Sequence, residues 1–115
     1  MNLPFLLDYR ARGEESKPAN PLRGSPVTRV ANQYVGANGH FFCGIWESTV
    51  GAWEVNYTEE ELCVLLAGKV RLIARDGETR EFKAGDSFII PAGFIGVWET
   101  LEPVRKLYAV AEASI

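Results

Sequence analysis

The chain has 115 residues, 47% of them apolar and 23% charged, with a formal net charge of −3 and a pI near 5.2. That length suits one domain with a single core. A mildly acidic chain without a basic stripe is a poor match to nucleic acid or anionic lipid, and no stretch approaches the ~20 apolar residues of a membrane span. The leading residues, MNLPFLLDYRARGEE, place proline inside a short apolar run and acids after it. That is the wrong pattern for a secretory signal, so the expected location is the cytoplasm.

In chain order, residues 3–9 (LPFLLDY) are expected to form a short strand or a covering arm. RARGEESKPANPLRGSP follows with three of the six prolines and reads as a loop. Residues 27–35 turn β-like, residues 36–39 read as a turn, and the only histidine, His40, follows it. FFCGIWE (41–47) is a nearly continuous apolar strand with both faces covered. In AWEVNY, Trp53, Val55 and Tyr57 share one face, and Ala52, Glu54 and Asn56 share the other.

Residues 61–67 form the next predicted strand, ended by Gly68. Residues 69–75 alternate again, and Asp76-Gly77 is the strongest hairpin signal in the chain. TREFKAG returns, Ala84-Gly85-Asp86 turns, and SFIIP and GVWETL flank Pro91-Ala92-Gly93. VRKLYAVA (104–111) closes the series as a separate strand. Short strands at such spacing, with no helical period, predict an all-β sandwich or jelly roll in a single domain.

Within 61–67, Glu61, Cys63 and Leu65 share one face, and Leu62, Val64 and Leu66 the other. A small barrel has one interior, so the second apolar face should be covered by the N-terminal arm or by a second subunit. Burying such side chains is worth roughly 1.5–3 kcal/mol each, which favours a homodimer with sheets packed face to face. Cys43 and Cys63 are expected as buried free thiols.

Two spacings carry a resemblance. Glu61 is followed after six residues by Gly68, and Gly85 after five by Pro91-Ala92-Gly93. They resemble the paired motifs of the cupin superfamily, G(X)5HXH(X)3–4E(X)6G and G(X)5PXG(X)2H(X)3N. GIWES (44–48), YTEEELCVLLAGKV (57–70), DGE (76–78), GDSFIIPAGFIGVWE (85–99) and EPVRKLY (102–108) further resemble the (S)-ureidoglycine aminohydrolase cupin-domain group. The resemblance covers residues 44–108 and implies a cupin jelly-roll barrel and commonly a dimer. The single domain is expected to hold that barrel in residues 41–111, with residues 1–40, outside the resemblance, as arm, strands and loop.

In metal-binding cupins, two histidines and a glutamate of the first motif and a histidine of the second hold a divalent ion. With the three-residue gap those histidine positions fall on Val55, Tyr57 and Gly96, and only the glutamate persists, as Glu61. With the four-residue gap they fall on Glu54 and Asn56, which together with Glu61 would make an oxygen-ligated, hard-metal hydrolase of the ureidoglycine aminohydrolase type. The preferred expectation is a site with no catalytic transition metal and no other cofactor.

The inward face is then predicted to carry Trp53, Tyr57, Glu61, Cys63 and Trp98, with Gly96 leaving room where a histidine would project. Arg105 and Lys106 compete to be the inward cation of the last strand, and Lys106, on the face of Val104 and Tyr108, is the one chosen as partner for Glu61 or for an anionic ligand. An aromatic-lined pocket with one carboxylate suits a small polar or planar molecule, although the same aromatics could simply fill the barrel. Glu61, hydrogen-bonded to Tyr57, would be the acid or base, and Trp53 and Trp98 would stack the ligand. The expected function is a small-molecule-binding cupin, either a metal-independent hydrolase or isomerase or a non-catalytic sensor or accessory domain.

Overall fold

Period-two alternation of apolar and polar residues carries through the computed structural model, which describes residues 3–112. It builds β1 (Glu14–Ser16), β2 (Thr28–Val35), β3 (Phe41–Ser48), β4 (Gly51–Asn56), β5 (Glu60–Ala74), β6 (Thr79–Lys83), β7 (Ser87–Ile90) and β8 (Ile95–Ala111). The fold is all-β, as expected, and the described residues contain no helix. Every strand pair is antiparallel.

β5 and β8 pair along almost their whole length and bend together, so the two strands belong to both sheets of the sandwich. In the first sheet, the 104–111 half of β8 pairs with β3, the 61–64 segment of β5 pairs with β7, and β2 and β1 extend the far edge. In the second sheet, the 95–100 half of β8 pairs with β4, and the 69–73 half of β5 pairs with β6. Core side chains from both inner faces meet between the sheets, among them Leu65, Val70, Ile90 and Trp98, each at most 1% exposed.

The bend corrects two sequence expectations. Gly68 does not end a strand, and residues 96–101 and 104–111 are not separate strands. Register with β8 slips between Leu65 and Val70, and Gly68 supplies a φ of +89° within that slip. Pro103, which has no N–H to give, falls in the gap between the Ala67–Arg105 and Lys69–Glu102 pairs. The irregularity lets one strand turn the corner between sheets instead of stopping.

The stretch read as loop also differs from expectation: β1 lies inside it, while residues 3–8 form no strand. The N-terminal segment is an arm tied to the outer face of the first sheet. Arg105 donates to the carbonyls of Tyr9 and Ala11 at 2.9 and 3.3 Å, and Asp8 and Gln33 exchange two hydrogen bonds. Arg12 and Arg105 both pair with Glu47. On that outer face Cys43 and Ile45 are buried, the former as a free thiol. The arm is not the cover predicted for the opposite end of the face, where Leu62 and Ile89 stay 40% and 59% exposed.

Candidate functional site

Cross-strand register assembles the site on the inner face of the first sheet. Trp46 (β3), Lys106 (β8) and Leu65 (β5) form one row, and Gly44, Tyr108 and Cys63 the next. Phe42, Val110 and Glu61 make the third. Lys106 therefore starts two rows from Glu61, and its long side chain reaches past Cys63 to close that gap. Nζ donates to Glu61 Oε2 at 2.6 Å and to Cys63 Sγ at 3.5 Å, and the Cys63 thiol donates to the same Oε2 at 3.1 Å.

The second sheet supplies walls through the row Trp53, Trp98 and Leu72. Lys106 Nζ lies 4.4 Å from the Trp98 ring centroid and 4.6 Å from that of Trp46, within cation–π range of both. The two indoles meet edge to face at 5.1 Å. Trp98 is fixed from behind, because its Nε1 donates to Thr100 Oγ1, which donates to Ser48 Oγ, which donates to the Thr49 carbonyl. Tyr108 reaches over Gly44 and donates to Asn32 Oδ1 at 2.7 Å, and any Cβ at position 44 would crowd that hydroxyl.

Burial and charge set the protonation states. Desolvation works against the Lys106 ammonium, but Cys63, Glu61 and Tyr57 around it more than compensate and hold it above the ordinary lysine range. Desolvation pushes Cys63 up to about 12 and Tyr57 up to about 12, in each case against the pull of Lys106. At neutral pH the thiol and phenol are therefore uncharged, and the carboxyl paired with the lysine is that of Glu61. A buried pair of this kind is tolerated only with its polar atoms satisfied, which the thiol and the two indole faces help to do.

Above the pair lies a cavity of about 320 Å³. Of the predicted residues, Trp53, Tyr57, Glu61, Trp98 and Lys106 line it. Cys63 does not: it is fully buried and bonds the ion pair without meeting the cavity. Gly96 does not either. It pairs with Val55 and Ala74 in the second sheet, where a Cβ would overlap the Ile73 carbonyl. Its missing side chain serves close strand approach, not an opening for ligand.

Glu61 takes its hydrogen bonds from Lys106 and Cys63, not from Tyr57 as expected, and Tyr57 instead packs against Phe94 at 6.3 Å. Glu54 and Asn56 are exposed and border a separate depression with Ile73 and Arg75. They are not gathered with Glu61, and no trio of histidine, cysteine or acidic side chains among the described residues is arranged to hold an ion. The cupin histidine positions carry an aliphatic chain, a neutral phenol and a glycine. The remaining glutamate already faces a cation, the ammonium of Lys106.

Phe42, Trp46, Glu59 and Tyr108 also line the cavity and were not predicted. β3 is so uniformly apolar that its alternation hides which residues face inward. Only the pairing of Trp46 with Lys106 reveals it, and pairing is a tertiary fact. Glu59 sits in an acidic run that reads as a solvated turn. In the fold it lies at the cavity, where burial and a hydrogen bond with the Glu112 carboxyl raise it above the usual carboxyl range.

Residues 35–108, more than half of the chain, match the family model described as the EutQ-like cupin domain. A DUF861-family protein of unknown function from Pseudomonas syringae pv. tomato superposes with a TM-score of 0.81 at 27% identity. That match covers 91% of this chain but only 46% of the other, so this chain spans about half of that protein. A DUF861-family protein from Thermotoga maritima is 30% identical over 69% of this chain and 96% of its own, with a TM-score of 0.55. The Clostridium difficile EutQ protein, 17% identical with a TM-score of 0.68 over 78% of this chain and 71% of its own, is alike in fold. No curated protein matches the chain.

Proposed function

The chain belongs to the EutQ-like cupin family, and on that footing we propose that it binds a small molecule in the cleft above Lys106 and Glu61 without a catalytic transition metal. The observation that carries this is the placement of the chain's own ammonium beside the surviving motif glutamate, under an open cavity with aromatic walls. Glu61 holds Lys106 and Cys63 through Oε2, while Oε1 makes no hydrogen bond among the described residues. Oε1 is thus the acceptor for a ligand N–H or O–H, and the atom at which a proton would be taken or returned. Trp53 and Tyr57 present faces for stacking.

All three tryptophans of the chain, Trp46, Trp53 and Trp98, line this cleft, so intrinsic emission reports on it alone. Chelator-dialysed protein titrated with a panel of small alcohols, amides, amines and acids is expected to show saturable emission changes for at least one class. Glu61→Gln should weaken that binding about tenfold, the loss of a charge-assisted acceptor. Emission unmoved by every class, or binding restored only by added metal, would overturn the reading.

Two further readings attach to the same surface. A non-catalytic sensor or accessory role is favoured by the way Lys106 and Cys63 tie down the Glu61 carboxylate of the cleft, and turnover of the bound ligand would rule it out. The hydrolase of ureidoglycine aminohydrolase type through Glu54, Asn56 and Glu61 draws no support from the separation of those side chains. We also propose a homodimer through the uncovered strip at Leu62 and Ile89. Light scattering is expected to give twice the 12.7 kDa chain mass, falling to one chain in Ile89→Asp. A monomeric parent protein at high concentration would refute the dimer.

A further inference from the structure

We infer that the cleft selects small cations, organic amines with a compact flat body, over anions of the same shape. The inference rests on the small-molecule reading above and names the ligand class. Three observations carry it. Among the described residues the only cation lining the cleft is Lys106, and it is not free for an anionic ligand: its side chain is 4% exposed, bonded to Glu61 and covered on two sides by indole faces. An arriving carboxylate or phosphate would have to displace Glu61 from that ammonium, at the cost of leaving a buried carboxylate unpaired.

The carboxyl groups of the cleft are differently placed, and they are of the opposite charge. Glu61 Oε1 has no partner among the described residues, and Glu59 lines the same cavity. Burial and the neighbouring Glu112 carboxyl hold Glu59 above the usual carboxyl range, as crowding of negative groups does. A ligand ammonium placed there would relieve that repulsion. The walls act in the same direction, since aromatic faces attract cations and repel anions. Trp46 and Trp98 already serve Lys106, and Trp53 and Tyr57 remain for a guest.

The formal balance agrees. Lys106 and Glu61 cancel, so the lining carries no uncompensated positive charge among the described residues. A second positive charge is therefore not opposed by the first, because the first is already neutralised at 2.6 Å.

A matched trio of probes tests this on the full chain: benzylammonium, benzyl alcohol and benzoate, which share a ring and differ in charge. Tryptophan emission and isothermal titration are read together, so that collisional quenching is not mistaken for binding. The expected order is benzylammonium, then the alcohol, then benzoate, with about tenfold between the extremes. Glu59→Gln, a change at the cavity lining that leaves the ion pair intact, should shrink that ratio severalfold while leaving the alcohol unchanged. Benzoate binding as well as or better than benzylammonium would overturn the charge preference and leave the small-molecule cleft standing. Silence from all three probes at millimolar concentration would overturn both.

Discussion

Lys106→Ala costs the fold about 3–5 kcal/mol in urea denaturation, because it strands the Glu61 carboxylate in a buried site and removes the ammonium from between two indoles. The double change Lys106→Met with Glu61→Leu removes both charges and keeps most of the volume. It is expected to lie close to the parent, since an apolar replacement for a buried ion pair is often neutral or stabilising. The contrast between the single and the double variant is the measurement. Equal losses in both would mean that the lysine stem and its cation–π contacts, not charge compensation, hold this part of the core. The double variant would also lose the acceptor at Oε1, so its stability and its ligand binding should part company.

Gly68→Ala should be at least as damaging, for a reason that has nothing to do with charge. Its φ of +89° costs an L-residue about 1–2 kcal/mol, and a Cβ there would in addition overlap the Pro103 carbonyl across the bend. A total of about 3 kcal/mol or more is expected, read from the denaturation midpoint. Gly85→Ala is the control. Its φ of +96° carries the same backbone penalty, but the added Cβ would meet nothing within 4 Å, so only about 1–2 kcal/mol should be lost. Equal effects in the two variants would show that β5 and β8 are not in tight contact at their shared corner.

Alternation made much of the fold legible in the sequence. Trp53, Val55 and Tyr57 pack toward the core while Glu54 and Asn56 are exposed, as the period-two pattern of β4 requires. Asp76-Gly77 closes the β5–β6 hairpin, with Ile73 opposite Thr79. The misreadings lie where local signals and tertiary demands part. Glycine and proline usually end a strand, yet at Gly68 and Pro103 they make a corner, because two partners bend at the same place. Gly96 looked like missing bulk, but what decides its role is the Ile73 carbonyl on a neighbouring strand. The direction of Lys106 follows from its neighbours Val104 and Tyr108. Its reach across Cys63 to Glu61 depends on the β5–β8 register, which no single segment encodes. Trp46 was lost for the same reason.

The corner shared by β5 and β8 has a consequence for how the molecule comes together. Neither sheet owns a complete set of strands, because each borrows half of the same two-stranded ribbon. Neither can fold first and wait for the other. β3 can meet β2 across a short turn, but its other neighbour and the strand partner of β4 are both β8, near the end of the chain, so long loops close before most contacts are made. Assembly is then slow and all-or-none, and the two sheets melt as one unit. An opening that exposed the Lys106–Glu61 pair without unfolding the rest has no seam along which to occur.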